Sequence, residues 1–274
     1  MAFLIIGGSG FLGAELIRQA TAAGHATAAT YATRPGTSRA GWHHLDLRNP
    51  GDLEAVMAEV KPRFVINASS GKADWAVTAE GPALLASAAA AHGSRLVHVS
   101  SDAVCSGTRV HYDETSHPDP LAPYGAAKAA AENGVHAHCP GAVVARTSLI
   151  IGHGRSVHER LIHDLASGTR EGALFTDDIR CPVHVADLAA ALLELATTDA
   201  SGIHHLGGAD ALSRHGLGVL IARRDGLAPS LLPAALRATS GLPGPLDVRL
   251  DSRATQRRLR TRLRGARRFC AEPE

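Results

Sequence analysis

The segment "FLIIGGSGFLG" (3–13) constrains the fold more than any other part of this chain. An apolar run (2–6) stops at a glycine, and Gly7, Gly10 and Gly13 then recur as GxxGxxG. The next segment places Leu12, Leu16 and Ile17 at helical spacing. Each glycine has a use: Gly7 and Gly10 permit a tight turn and close backbone approach to a pyrophosphate, and Gly13 lets the helix rest against the sheet. The helix opens at Phe11 and Leu12, where backbone N–H groups without intrahelical partners favour phosphate. The expectation is a dinucleotide site at the end of the first strand.

The first half of the chain continues the same alternation. "HATAATY" (25–31), "WHHLDL" (42–47), "RFVINAS" (63–69), "RLVHVSS" (95–101) and "GAVVARTS" (141–148) read as strands. The continuous apolar runs among them suit strands buried on both faces. Helices read at 11–24, at 50–60 with Pro50 near the start, at 80–93, and from about 122 to 138. Strand and helix in alternation predict an α/β fold, a Rossmann-type doubly wound parallel sheet. After about residue 150 the alternation breaks down: 157–168 and 185–198 are helical, 202–208 is a short strand, and Pro and Gly interrupt the rest. The domain reading is therefore a dinucleotide-binding domain over 1–150 and a smaller C-terminal substrate lobe over 151–274, packed on the carboxyl edge of the sheet.

Composition limits the alternatives. With 45% hydrophobic and 20% charged residues the chain is globular, and a net charge of +2 argues against nucleic acid or a membrane surface as partner. Nine arginines and one acid lie between Arg249 and Arg268, with only Phe269 beside them to stack a base, so this stretch reads as a solvated terminal helix. Cys105, Cys139, Cys181 and Cys270 are scattered and read as free thiols, and none of the histidines has zinc-ligand spacing, so no metal is expected. The absence of a signal peptide or a bilayer-length apolar run points to the cytoplasm.

The end of the second strand decides which dinucleotide is bound. An acid there would take the ribose hydroxyls of NAD, whereas "TYATRPGTSR" (30–39) offers Thr33, Arg34 and Arg39 and no acid. NADP(H) is favoured over NAD(H). Asp46 and Leu47 follow the next strand and could meet the adenine edge. Tyr124 and Lys128 stand at i and i+4 on one helix face, where the ammonium would favour the phenolate. Such a tyrosine can exchange a proton with a carbonyl oxygen. Ser101 ends a predicted strand at the edge where ligands bind, so its hydroxyl could share that oxygen.

Taken together, "GGSGFLG" (7–13), "VSSDAVCSG" (99–107) and "PYGAAKAAAE" (123–132) resemble an extended short-chain dehydrogenase/reductase, and within it the dTDP-4-dehydrorhamnose reductase family. "RCPVHVADLA" (180–189) and "GIHHLGGADALSR" (202–214) resemble later segments of the family, so the likeness covers nearly the whole chain. The resemblance puts Ser101 and Asp102 on the family's Ser/Thr-Asp pair, and Tyr124 and Lys128 on its catalytic pair. It implies hydride transfer from NADPH to a ketone, with Tyr124 protonating the oxygen, Ser101 polarising the carbonyl and Lys128 also holding the nicotinamide ribose. Asn67, Ala68 and Ser69 would lie along the cofactor. Oligomeric state is not readable from the residues; members of the family are often dimers, so a homodimer is one assembly the resemblance carries.

The departures fall on the substrate side. After its "NAAA" the family carries a segment like "YTAVDKAE", which faces the sugar; this chain has "GKADWAVTAE" there, with Lys72 and Trp75 in place of the usual groups. Ala103 and Cys105 replace bulky aromatics. The substrate is thus expected to be a small molecule, a dTDP-4-keto-6-deoxysugar or another ketone or imine. Arg146, Arg155 and Arg180 are candidates for an anionic group on it. Asp187 opens a helix and reads as its N-cap. Two other readings stay open: an NAD(P)-retaining epimerase or dehydratase, and a non-catalytic NADP-binding regulatory subunit.

Overall fold

A computed structural model of the chain describes residues 2–38, 40–72 and 74–271. Seven strands form the central sheet: β1 (Ala2–Ile6), β2 (Ala26–Tyr31), β3 (Gly41–His44), β4 (Phe64–Asn67), β5 (Arg95–Ser101), β6 (Val143–Thr147) and β7 (Gly202–Leu206). Their order is β7-β6-β5-β4-β1-β2-β3, and every neighbouring pair is parallel. The order reverses between β1 and β4, and a crevice opens at that point beyond the carboxyl ends of the strands.

The helices are α1 (Phe11–Ala22), α2 (Pro50–Val60), α3 (Gly81–Ala91), α4 (Pro123–His138), α5 (Val157–Ala166), α6 (Val185–Thr197) and α7 (Arg214–Arg224). Successive side chains of a strand face opposite ways, which sorts the core into two layers. Phe3 and Ile5 pack with Leu16 of α1 and Leu188, Leu192 and Leu195 of α6. Leu4 and Ile6 pack on the other face with Met57 of α2, Leu85 of α3 and Val135 of α4. Each fully buried Leu or Ile here contributes about 1.5–3 kcal/mol. The entry to α2 follows the sequence pattern: the Asn49 side chain accepts the Gly51 N–H at 3.0 Å, and Pro50 fills the first turn.

A third core, with Ile162 and Leu165 of α5 and Leu217 and Ile221 of α7, forms the smaller lobe over the carboxyl edge. A single cut at residue 150 does not separate the layers, because α6 and β7 return to the central sheet. The reason is the apolar stripe of α6, which the sheet face buries.

Two local expectations are corrected. Asp187 does not cap α6: the His184 ring does, with Nδ1 3.2 Å from the Ala186 N–H, while Asp187 takes the Arg264 guanidinium at 2.9 Å. The arginine-rich segment is not one solvated helix. It has only two four-residue turns of helix, Arg253–Gln256 and Ala266–Phe269, and it buries Leu259 and Leu263 against the sheet core and Phe269 in the smaller lobe.

Candidate active site

A cavity of about 970 Å³ lies between the carboxyl ends of β1, β4, β5 and β6 and the smaller lobe. The end of β5 supplies its floor. Ser101 caps a short turn, Asp102–Val104, accepting the Ala103 N–H at 3.2 Å. Asp102 is buried and accepts the Ser148 hydroxyl at 2.6 Å and the Ser101 hydroxyl at 3.3 Å, with Arg180 Nε 3.8 Å away. The start of α4 rests directly on this turn: a Cβ on Gly125 would stand 2.1 Å from the Ala103 carbonyl oxygen. Only glycine allows that approach, which brings the neighbouring Tyr124 to the cavity wall beside Ser101.

Burial raises the Tyr124 phenol above the ordinary tyrosine pKa, and the Asp102 carboxylate adds to the rise. The hydroxyls of Ser70 and Ser101 pull the other way without reversing it. One turn along, Lys128 Nζ donates to the Val99 carbonyl at 3.0 Å, and burial pushes its pKa down to about 8, with Glu132 opposing. The Lys128 ammonium was expected to favour a phenolate; it is held by a strand carbonyl and is not among the groups that shift the phenol, whose pKa burial raises.

Behind this wall, Ser100 donates to Glu132 at 2.5 Å, and Arg146 forks onto the same carboxylate at 2.7 and 3.0 Å while donating to the Ser116 carbonyl at 2.8 Å. Arg146 is therefore a buried structural pair and not an anion ligand of the cavity, because its donors are spent before they reach it.

The glycine loop forms the opposite wall. Gly7 N–H donates to Thr30 Oγ1 at 3.1 Å, and Gly10 N–H to the Gly7 carbonyl at 3.0 Å. A Cβ on Gly13 would stand 2.2 Å from the Gly7 carbonyl oxygen, so the helix can start this close only with glycine there. No side chain caps α1 and no acid stands in its first turn. Gly10, Phe11 and Leu12 line the cavity, as do Ala68 and Ser69. Glu15 also lines the cavity from the next turn of α1, paired with Arg18 at 2.6 Å, so the first turn itself offers donors and no acid, which fits the diphosphate of a dinucleotide. Asn67 is fully buried and acts on the loop: its Oδ1 accepts the Ser69 N–H at 3.1 Å and hydroxyl at 2.6 Å, and its amide meets His98 Nδ1 at 3.2 Å. Thr33 and Arg34 are exposed after β2, and Arg34 makes no ion pair among the described residues; Arg39 lies outside the described residues. Asp46 is gripped by Arg48 at 2.7 Å, whose hydrogen bonds hold the carboxyl down to about 2, and Leu47 points into the core.

The smaller lobe makes the third wall, and it is cationic. Arg155, Arg160, Arg180, Arg214 and Arg237 face the cavity against Asp102 and Asp178. Asp178, 1% exposed, receives Arg180 at 2.9 Å, Arg237 at 3.1 Å and Arg214 at 3.4 Å. Arg180 also donates to the Ile179, Pro245 and Leu246 carbonyls, so it offers the cavity charge and few free donors. Arg155 has no carboxylate partner among the described residues, and burial lowers the Arg214 pKa despite Asp178. Lys72 lines the mouth with a left-handed backbone, φ 55°, whereas Trp75, half exposed, is not on the cavity wall.

Residues 1–269 match the family described as the RmlD substrate binding domain. The chain belongs to that family. It is an oxidoreductase of the short-chain dehydrogenase/reductase type. A dTDP-4-dehydrorhamnose reductase from Mycobacterium tuberculosis is 30% identical over 260 residues, covering 88% of this chain and 81% of that one. A hypothetical dTDP-4-dehydrorhamnose reductase from Sulfolobus tokodaii is 27% identical, with a TM-score of 0.83 over 96% of this chain and 97% of that one. The dTDP-4-dehydrorhamnose reductase of Bacillus anthracis, solved in complex with NADP, shares the fold at a TM-score of 0.84 and 21% identity, over 98% and 97% of the two chains.

Ser101, Asp102, Tyr124, Lys128 and the glycine loop, all legible in the sequence, come to one cavity in the fold. Ser70, Ser148, Asp178, Arg214 and Arg237 also line it and are not legible there, because they come from segments whose convergence no local pattern reports.

Proposed function

We propose that this protein is an NADPH-dependent reductase of a ketone on an anionic sugar, with a dTDP-4-keto-6-deoxysugar as the first substrate to test. The observation that carries the reading is the placing of Tyr124 and Ser101 on the same cavity as the uncapped start of α1, where burial raises the pKa of the phenol. Gly7, Gly10 and Gly13 with the N–H groups of Phe11 and Leu12 would hold the diphosphate, Arg34 a 2′-phosphate, and Ala68, Ser69 and Lys128 the nicotinamide half. NADPH supplies the hydride when bound.

The chain's own residues do the rest. Ser101 donates a hydrogen bond to the substrate oxygen and orients it toward Tyr124. As negative charge grows on that oxygen, Tyr124 releases its proton to it, and the product leaves as an alcohol. Lys128 keeps a positive charge one helical turn from the phenolate so formed. Arg155 and Arg214, with donors to spare, attract the anionic part of the substrate, and Arg180 and Arg237 add field. The names of the relatives favour a nucleotide-linked sugar, and the surplus of arginine over carboxylate on the third wall fits a diphosphate.

The test is NADPH oxidation by the purified protein with a dTDP-4-keto-6-deoxysugar. Turnover is expected in the natural chain and a loss of at least about a hundredfold in Tyr124→Phe. Equal turnover in Tyr124→Phe would remove Tyr124 as the acid. Conversion of the sugar without net NADPH loss would replace the reductase with a hydride-recycling enzyme.

A further inference from the structure

The loop that leaves β2 carries Thr33 and Arg34, and its own residues do little to hold it. Residues 33–38 form neither helix nor strand. Among the described residues one hydrogen bond reaches them, from the Trp42 indole N–H to the Ser38 carbonyl at 3.0 Å. Trp42 stands on β3, the parallel neighbour of β2, and its half-buried ring packs on the sheet core with Tyr31 edge-on at 6.3 Å. The loop lies against that ring. A Cβ on Gly36 would come within 2.7 Å of both Cζ2 and Cη2, so only glycine fits there. The same ring also reaches the glycine loop, where Cζ3 lies 3.2 Å from the place of a Cβ on Gly8. One side chain therefore touches two loops: Gly8 stands between Gly7 and Gly10, and Gly36 two residues after Arg34.

We propose that Trp42 is a specificity-determining residue for the cofactor, seating the loop after β2 so that Arg34 meets a 2′-phosphate. This rests on the reading of NADPH as hydride donor and of Arg34 as the partner of its 2′-phosphate. Arg34 is exposed and makes no ion pair among the described residues, so binding a phosphate must order both its side chain and its backbone. A loop already seated on a fixed indole removes the second of these costs. NADH has no 2′-phosphate and gains little from the seat. Trp42 thus acts on the difference between two affinities, which is what specificity is.

The test compares Kd for NADPH and for NADH, read from the fluorescence of the reduced nicotinamide. The natural chain is expected to bind NADPH at least about tenfold more tightly. Trp42→Phe removes the N–H and the ring atoms that meet Gly36, yet keeps an aromatic side chain on the core. Gly36→Ala drives a carbon into the ring from a loop outside the core, and carries the test if Trp42→Phe does not fold. Each variant should lower the preference for NADPH by about fivefold to tenfold. Placed on Arg34→Ala, neither should lower it further, because Trp42 acts through Arg34; a further fall there would contradict that route. A preference unchanged in both variants, or equal losses of NADPH and NADH binding, would overturn the proposal and leave Arg34 as the phosphate partner. A natural chain that binds both cofactors alike would instead overturn the reading beneath it.

Discussion

Lys128 shows what a buried functional charge does to stability. Its pKa in the folded chain is about 8, against the higher value of an exposed lysine, so the unfolded chain binds this proton more tightly. Below about pH 8 the folded chain carries the full cost of the buried ammonium, on the order of 3 kcal/mol at the usual conversion of pKa units. As pH rises from about 8 toward the ordinary lysine value the cost fades. Lys128→Met is therefore expected to be more stable than the natural chain by about 2 kcal/mol at pH 7, after about 1 kcal/mol is lost where the Val99 carbonyl gives up its donor. The gain should shrink toward pH 10 while turnover disappears. Urea unfolding at both pH values checks this, and a variant no more stable than the natural chain at pH 7 would contradict it. At this scale the sequence showed which residues share a face, since i and i+4 on a helix leave little choice. It did not show where the Lys128 ammonium points, because the carbonyl that holds it belongs to another element.

Among the elements, glycines mark where helices touch strands and turns. Gly13 and Gly125 both sit at contacts where a Cβ would press on a carbonyl oxygen, at 2.2 and 2.1 Å. Gly13→Ala must push α1 off the loop and is expected to cost about 1–3 kcal/mol or more, and to weaken NADPH binding at least tenfold. Gly141→Ala, with no atom within 4 Å of the added carbon, is the control and should leave both unchanged. Parallel urea and NADPH titrations read the difference; similar losses in the two variants would contradict the close-contact account. The Gly13 contact was legible because the GxxGxxG spacing encodes it. The Gly125 contact was not, since "YGAAK" drew attention to Tyr124 and Lys128 alone. The N-cap of α6 was misread for a related reason. Asp187 is the usual capping type, but His184 stands at the helix boundary and Arg264, far along the chain, claims the aspartate.

Across the whole molecule, the two lobes are interleaved and the cavity lies where they meet. Apolar runs and helical periods were enough to read a parallel sheet and most of its helices, because each element carries its own pattern. The cationic wall carries none. Arg155, Asp178, Arg214 and Arg237 belong to four separated segments, and only the packing of α5 and α7 with the loops around them brings the group to one face of the cavity. The arginine-rich C-terminal segment reads as a solvated helix but lends Leu259 and Leu263 to one layer of the sheet core and Phe269 to the core of the smaller lobe instead. The resulting arrangement puts a proton donor, a dinucleotide cradle and an anion-attracting wall around one space. Its central claim is that a hydride leaves NADPH and stays on the product. The most direct measurement is the mass of the alcohol formed from a dTDP-4-keto-6-deoxysugar with NADPH carrying deuterium on its transferable position. The account predicts a product heavier by one deuterium, bound to the new alcohol carbon. A product formed without the label would contradict it.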